Sequence, residues 1–246
     1  MNLPPLLKKA LAEFLGVTLF LTAICGAAVY QNKELGTAAL AAVLGLAILV
    51  TASISGGHLN PIVSIYFFSR REIGLVQLLV YLVAQITGGI FGAFIAGQMF
   101  LQTFMLDTNM STANAGALLS ELFVAGGLVW LVARLASTSK AHLIPPAVGL
   151  WVFAAAIFSS SGAQANPAVS IALVFVGQST ATAAGYILAQ LGGMLIAAIF
   201  ILVFADKKTK APFDLVAVGA GLRVYNHAVA RGLFIRNMGD RVAICP

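Results

Sequence analysis

Apolar residues run along this chain in blocks too long for the interior of a soluble helix, broken by short polar stretches. Six blocks are each about 18 residues or more, near residues 10–30, 36–54, 75–100, 116–136, 144–161 and 182–205. At 1.5 Å per residue each can cross roughly 30 Å of hydrocarbon as an α-helix. None shows the ten-residue alternation of a membrane β-strand. Two shorter apolar segments, Pro61–Phe68 and Pro167–Val176, are about half that length and stop at Ser69-Arg70-Arg71 and Gly177-Gln178. The pattern predicts an all-α membrane protein of six transmembrane helices and two half-helices.

The half-length segments begin alike. Asn60-Pro61-Ile62-Val63-Ser64 recurs as Asn166-Pro167-Ala168-Val169-Ser170, an offset of 106 residues. Glu13 and Glu121 precede the two copies at an offset of 108, and Gln85 and Gln190 follow at 105. The chain thus reads as one unit of about 105 residues used twice, over 1–105 and 106–206, followed by a tail over 207–246. Three spans per unit put the second copy into the membrane upside down. Asn is a favoured N-cap, and Pro at the first helical position sacrifices no hydrogen bond. Each Asn-Pro should therefore open a half-helix with its positive end at the membrane middle, one entering from each face. Irregular backbone at that depth is tolerated only when buried or lining an aqueous cavity. The Gly- and Ser-rich stretches 53–59 and 159–165 then read as a channel wall.

Composition agrees and narrows the classes. The chain is 60% hydrophobic and 9% charged, against roughly 25% charged in soluble domains. Lys8-Lys9 ahead of an apolar run resembles a signal peptide, but the run leads to further spans and reads as the first of them. Basic residues at 8, 9, 70, 71, 134, 140, 207, 208 and 210 fall on one side of the six-span topology, with Lys33 on the other. Both termini are therefore expected in the cytoplasm. The basic residues are scattered, so nucleic acid is not expected as a partner. Cys25 and Cys245 make no disulfide framework. His58, His142 and His227 show no ligand spacing, and no nucleophile, base and orienter occur together, so neither a metal, a cofactor nor an enzyme is expected. Trp130 and Trp151 read as lipid or interface anchors, and the Gly88-Gly89, Gly126-Gly127 and Gly192-Gly193 pairs as close helix packing.

Ser55-Gly56-Gly57-His58-Leu59-Asn60-Pro61 and Asn166-Pro167-Ala168 closely resemble the two signature loops of the aquaporin, or major intrinsic protein, family. Ala12–Gly16 resembles the start of its first helix, and Ala84-Gln85 with Gly88-Gly89 its third. The resemblance runs from about residue 8 to 206. It implies a homotetramer in the lipid bilayer, each monomer passing water or small neutral solutes through its own pore. It also implies that Asn60 and Asn166 donate hydrogen bonds to the permeating molecule, and that Glu13 and Glu121 support the signature loops. The last point has its own physical basis, because a carboxylate inside a span needs partners and loop N–H groups can supply them. His58 is a candidate for pore lining, against simple packing within its loop.

Two positions depart from the family pattern. Ile62 stands where Ala is usual. Val169 stands where an Arg normally forms the positive member of the outer constriction. Counting without gaps from the Asn residues puts the other three constriction positions at Leu40, Ala154 and Ala163. Such a ring is expected to be wide and apolar, without a fixed charge. It would admit glycerol, urea, ammonia or hydrogen peroxide beside water, and leave ion exclusion to the Asn pair, with an ion-leaky channel as the alternative. Three other classes compete with this reading: an ion-driven transporter, a membrane enzyme, and a closed or gated scaffold of the same fold. The tail, with Arg223, Arg231, Arg236 and Arg241, reads as a surface segment near anionic lipid or a lid.

Overall fold

The structure is a computed structural model that describes residues 3–31, 33–107 and 109–204, with the side chains of 33 and 34 excepted. The expected tail over 207–246 lies outside the described residues.

The regular elements among the described residues are all helices, with no strand among them. The elements are α1 (Pro5–Ala23), α2 (Lys33–Ser55), α3 (Pro61–Ser69), α4 (Leu75–Met99), α5 (Ala115–Ala136), α6 (Ile144–Phe158), α7 (Pro167–Leu173) and α8 (Thr180–Val203). A π-helical stretch, Ile24–Val29, carries α1 onward, and a 3₁₀ turn, Val174–Val176, extends α7. Six helical segments are long and apolar enough to cross a membrane, the first already beginning at Pro5. The fifth ends at Phe158, short of the expected 161. The chain there turns into a loop whose Gly162 and Ala163 take left-handed backbone.

Helices pair at glycines. Gly88 and Gly92 of α4 lie against the Phe14 and Thr18 backbone of α1, and Thr18 Oγ1 donates to the Gly88 carbonyl at 3.1 Å. In the second unit Gly193 of α8 lies against the Leu122 carbonyl of α5, with Gly126 behind it. With lipid outside, the helices gain nothing from hiding apolar surface, so close backbone approach is what holds them. The two units meet where Gly45 of α2 and Gly149 of α6 let those helices touch. Large apolar side chains such as Leu19, Leu46, Val50, Leu150 and Ile199 stay exposed on the outside, as a lipid-facing surface requires.

Candidate functional site: the paired Asn-Pro loops

Each signature loop is held by one buried carboxylate. Glu13 is fully buried and accepts from Ser55 Oγ at 2.6 Å, His58 N at 3.0 Å, Leu59 N at 2.7 Å and Gln85 Nε2 at 2.8 Å. Four donors fill the acceptor capacity of a carboxylate. Glu121, equally buried, accepts from Gln164 N at 2.9 Å, Ala165 N at 2.8 Å and Gln190 Nε2 at 2.7 Å. The backbone follows the same path in both loops. Gly56 and Gly57 have φ of 95° and 62°, while Gly162 and Ala163 have 77° and 56°. Leu59 and Ala165 have 48° and 47°, a left-handed conformation that costs a non-glycine residue about 1 kcal/mol or more. The Glu hydrogen bonds to those same two residues offset that cost.

The loops deliver Asn60 and Asn166 as N-caps. Both have extended backbone, and their Oδ1 atoms accept from Ile62 N at 3.1 Å and Ala168 N at 3.0 Å. Capping fixes which end of each amide is the nitrogen. Asn60 Nδ2 donates to the Ala165 carbonyl at 2.8 Å, and Asn166 Nδ2 to the Leu59 carbonyl at 2.9 Å. Each amide nitrogen bonds the opposite loop through one N–H and carries a second. Pro61, Ile62, Pro167 and Ala168 are buried behind them, Ile62 completely.

A cavity of about 260 Å³ reaches both Asn residues from the side where α3 and α5 end and α6 begins. Its walls are largely apolar, with Leu44 and Ile48 on α2 and Val148 and Val152 on α6. His58 lines it, stacked on Phe67 at 4.8 Å between ring centroids, and Glu72 stands at the mouth. The His58 Nδ1 lies 3.1 Å from Ser64 Oγ, which also receives Gln85 Nε2.

A family model described as Major intrinsic protein matches residues 1–160. This chain belongs to the major intrinsic protein family. Aquaglyceroporin AqpS of Rhizobium meliloti (strain 1021) is 31% identical over 208 residues, covering 78% of this chain and 88% of that protein. Aquaporin TIP1-1 of Arabidopsis thaliana is 33% identical over 189 residues, covering 68% and 74%. Among solved structures, the aquaglyceroporin from Plasmodium falciparum superposes with a TM-score of 0.65 over 80% of this chain and 95% of its own, at 20% identity. The protein is thus an integral multi-pass membrane protein with the fold of that family.

The four positions expected at the outer constriction lie differently with respect to this cavity. Leu40 lies one turn before Leu44 on the cavity face of α2. Ala154 does not face the cavity. It is exposed beside Leu150 and Ile157 on the outside of α6, about 200° around the helix from Val152. The cavity face continues instead to Ala156, one turn past Val152. A shift of two residues in the loop between α6 and α7 exchanges Ala154 for Ala156 on that face, and both are Ala. Leu40, Ala163 and Val169 retain only 8%, 4% and 1% of their surface and are not among the cavity's lining residues.

Residue-by-residue reading also missed Gln164. It holds the place of His58 in the second loop. Its Oε1 accepts from Ser170 Oγ at 2.7 Å, and Ser170 receives Gln190 Nε2 at 3.0 Å. Gln164 Nε2 donates to Gln178 Oε1, and Gln178 Nε2 to the Ser170 carbonyl at 3.1 Å. The signal was available, since the offset of 106 residues relates 58 to 164 and 64 to 170.

Proposed function

We propose that this protein is a passive channel for water and small uncharged solutes of the size of glycerol, urea, ammonia or hydrogen peroxide, working as a homotetramer with both termini in the cytoplasm. The observation that carries the reading is the reciprocal placement of Asn60 and Asn166. Two amide donors, each locked by its own cap and by the opposite loop, meet at the inner end of one cavity. A solute oxygen can replace its lost hydration there, while the inward positive ends of α3 and α7 oppose cations. The proposed filter positions Leu40, Ala163 and Val169, with Ala154 or Ala156 from α6, carry no charge and no side-chain donor. The likeness to a protein named an aquaglyceroporin supports a pore that passes more than water.

Stopped-flow light scattering on proteoliposomes mixed into hyperosmotic glycerol tests this. Fast shrinkage followed by fast reswelling, both relative to empty liposomes, is the expected result. Fast shrinkage without faster reswelling removes glycerol from the reading. Neither phase being faster removes an open pore. A second reading, a gated or closed channel-like scaffold, is favoured by the almost complete burial of Leu40, Ala163 and Val169. An apolar constriction packed this closely can gate by dewetting.

A further inference from the structure

Outside the pore, α5 and α8 enclose a second cavity, an apolar groove of about 440 Å³ that opens outward. Its floor is Gly126, Gly193 and Ala197, where the two helices touch backbone to backbone. Its walls are aromatic: Phe123 and Trp130 on α5, Phe200 and Phe204 at α8, each about half exposed or more. Trp151 reaches in from α6 over Gly127, its Nε1 already donating to the Val124 carbonyl at 3.1 Å. Among the described residues no charged side chain lines the groove.

Length, charge and repeat asymmetry together identify an occupant. From Gly193 to Phe204 the groove follows about 16 Å of α8, half of a roughly 30 Å hydrocarbon core and so one leaflet. It ends where α5 and α8 both end. There Arg134 sits exposed, four residues after Trp130 and three after Leu131, on the face that carries both. Among the described residues Arg134 has no carboxylate within ion-pair distance. The first repeat does not build the same notch: the offset of 108 residues puts Leu19, 58% exposed, in the place of Gly127, and α2 carries no Trp to match Trp151. The groove therefore belongs to one leaflet alone.

We propose that this groove seats one acyl chain of an anionic phospholipid, with the lipid phosphate paired to Arg134. A zwitterionic lipid offers the same chain, but its own cation competes for the phosphate.

Trp130 and Trp151 are the two tryptophans of the chain, and both line the groove, so fluorescence reads the site directly. Full-length protein is reconstituted in phosphatidylcholine bilayers containing increasing mole fractions of either phosphatidylglycerol or phosphatidylcholine brominated on the acyl chain. The expected result is that brominated phosphatidylglycerol reaches half-maximal quenching at about a fivefold lower mole fraction, the preference one basic residue confers near a membrane surface. Arg134→Gln, an exposed substitution, should bring the two lipids together. Equal quenching by both lipids in the unsubstituted protein overturns the proposal, as does an unchanged preference in Arg134→Gln. Trp130→Phe leaves Trp151 as the reporter. If neither lipid quenches it, the groove is covered by another copy of the chain and the proposal fails. None of these readouts depends on flux through the pore.

Discussion

Gln164 stands in the second loop as His58 stands in the first. Both give their backbone N–H to the supporting glutamate, at 2.9 and 3.0 Å, and both side chains bond the serine six residues on. In the second loop the serine hydroxyl donates. The same polarity in the first makes His58 Nδ1 an acceptor and puts the ring proton on Nε2. A glutamine at 58 can accept through Oε1 just as Gln164 does. His58→Gln should therefore keep water permeability within about twofold of the parent in stopped-flow assays, while His58→Ala strands the Ser64 hydroxyl and lowers the melting temperature. An equal loss in both would mean that imidazole itself is required.

The two carboxylates differ in how many donors they serve. Glu13 takes four and Glu121 three: Ser55 and Ser161 each accept the N–H two residues on at 3.2 Å, and Ser55 also donates to Glu13. A buried donor left without its acceptor costs about 1–3 kcal/mol. Gln at either site keeps one acceptor oxygen and turns an NH₂ toward former partners. Glu13→Gln and Glu121→Gln should both destabilise the detergent-solubilised protein, the first more. Thermal unfolding of the pair checks the order, and the reverse order would show that donor number does not decide it.

Much of this arrangement is legible in the sequence because it is local. Span length follows from apolar run length, and the half-helices from Asn-Pro capping. The Glu–loop bonds follow from the need of a buried acid for partners. Gln85 and Gln190 were visible as repeat markers, yet their part in bridging Glu to Ser required three elements to meet, α1, α3 and α4 in one unit and α5, α7 and α8 in the other. Which α6 residue faces the cavity is not legible. It depends on how many residues the loop after Phe158 consumes, and nothing in that stretch fixes the angle at which α6 arrives. The near-complete burial of the filter side chains is likewise a matter of packing between units, which residue type alone does not set.

Val169 is the proposed filter position at which the family pattern has Arg. It is 1% exposed, on α7, and belongs to the apolar core that also holds Ala163 and Ala165. Val169→Arg would restore a fixed charge and several donors at the position where the family pattern has them. Its guanidinium has no room among these neighbours and must turn into the pore. Glycerol reswelling should fall by about tenfold or more, equivalent to roughly 1.4 kcal/mol of added barrier, while water flow falls far less. An unchanged glycerol-to-water ratio would place position 169 outside the filter.

The α5–α8 pair predicts the largest loss of stability from the smallest change. A Cβ on Gly193 would run into the Leu122 carbonyl carbon and oxygen and the Gly126 nitrogen, all of them backbone. No rotamer relieves such a clash, so the helices must separate, and separation uncovers the carbonyls that the close approach now shields. Overpacking of this kind costs typically about 1–3 kcal/mol and sometimes more. Gly192, one residue earlier, would meet only the Leu122 Cδ1 at 3.7 Å, an ordinary contact. Gly193→Ala should therefore lower the melting temperature of the solubilised protein sharply, whereas Gly192→Ala should be neutral or slightly stabilising, since Ala is the better helix former by up to about 1 kcal/mol. Melting the two variants side by side gives the comparison. Equal melting temperatures would mean that α5 and α8 are not held by backbone contact at Gly193.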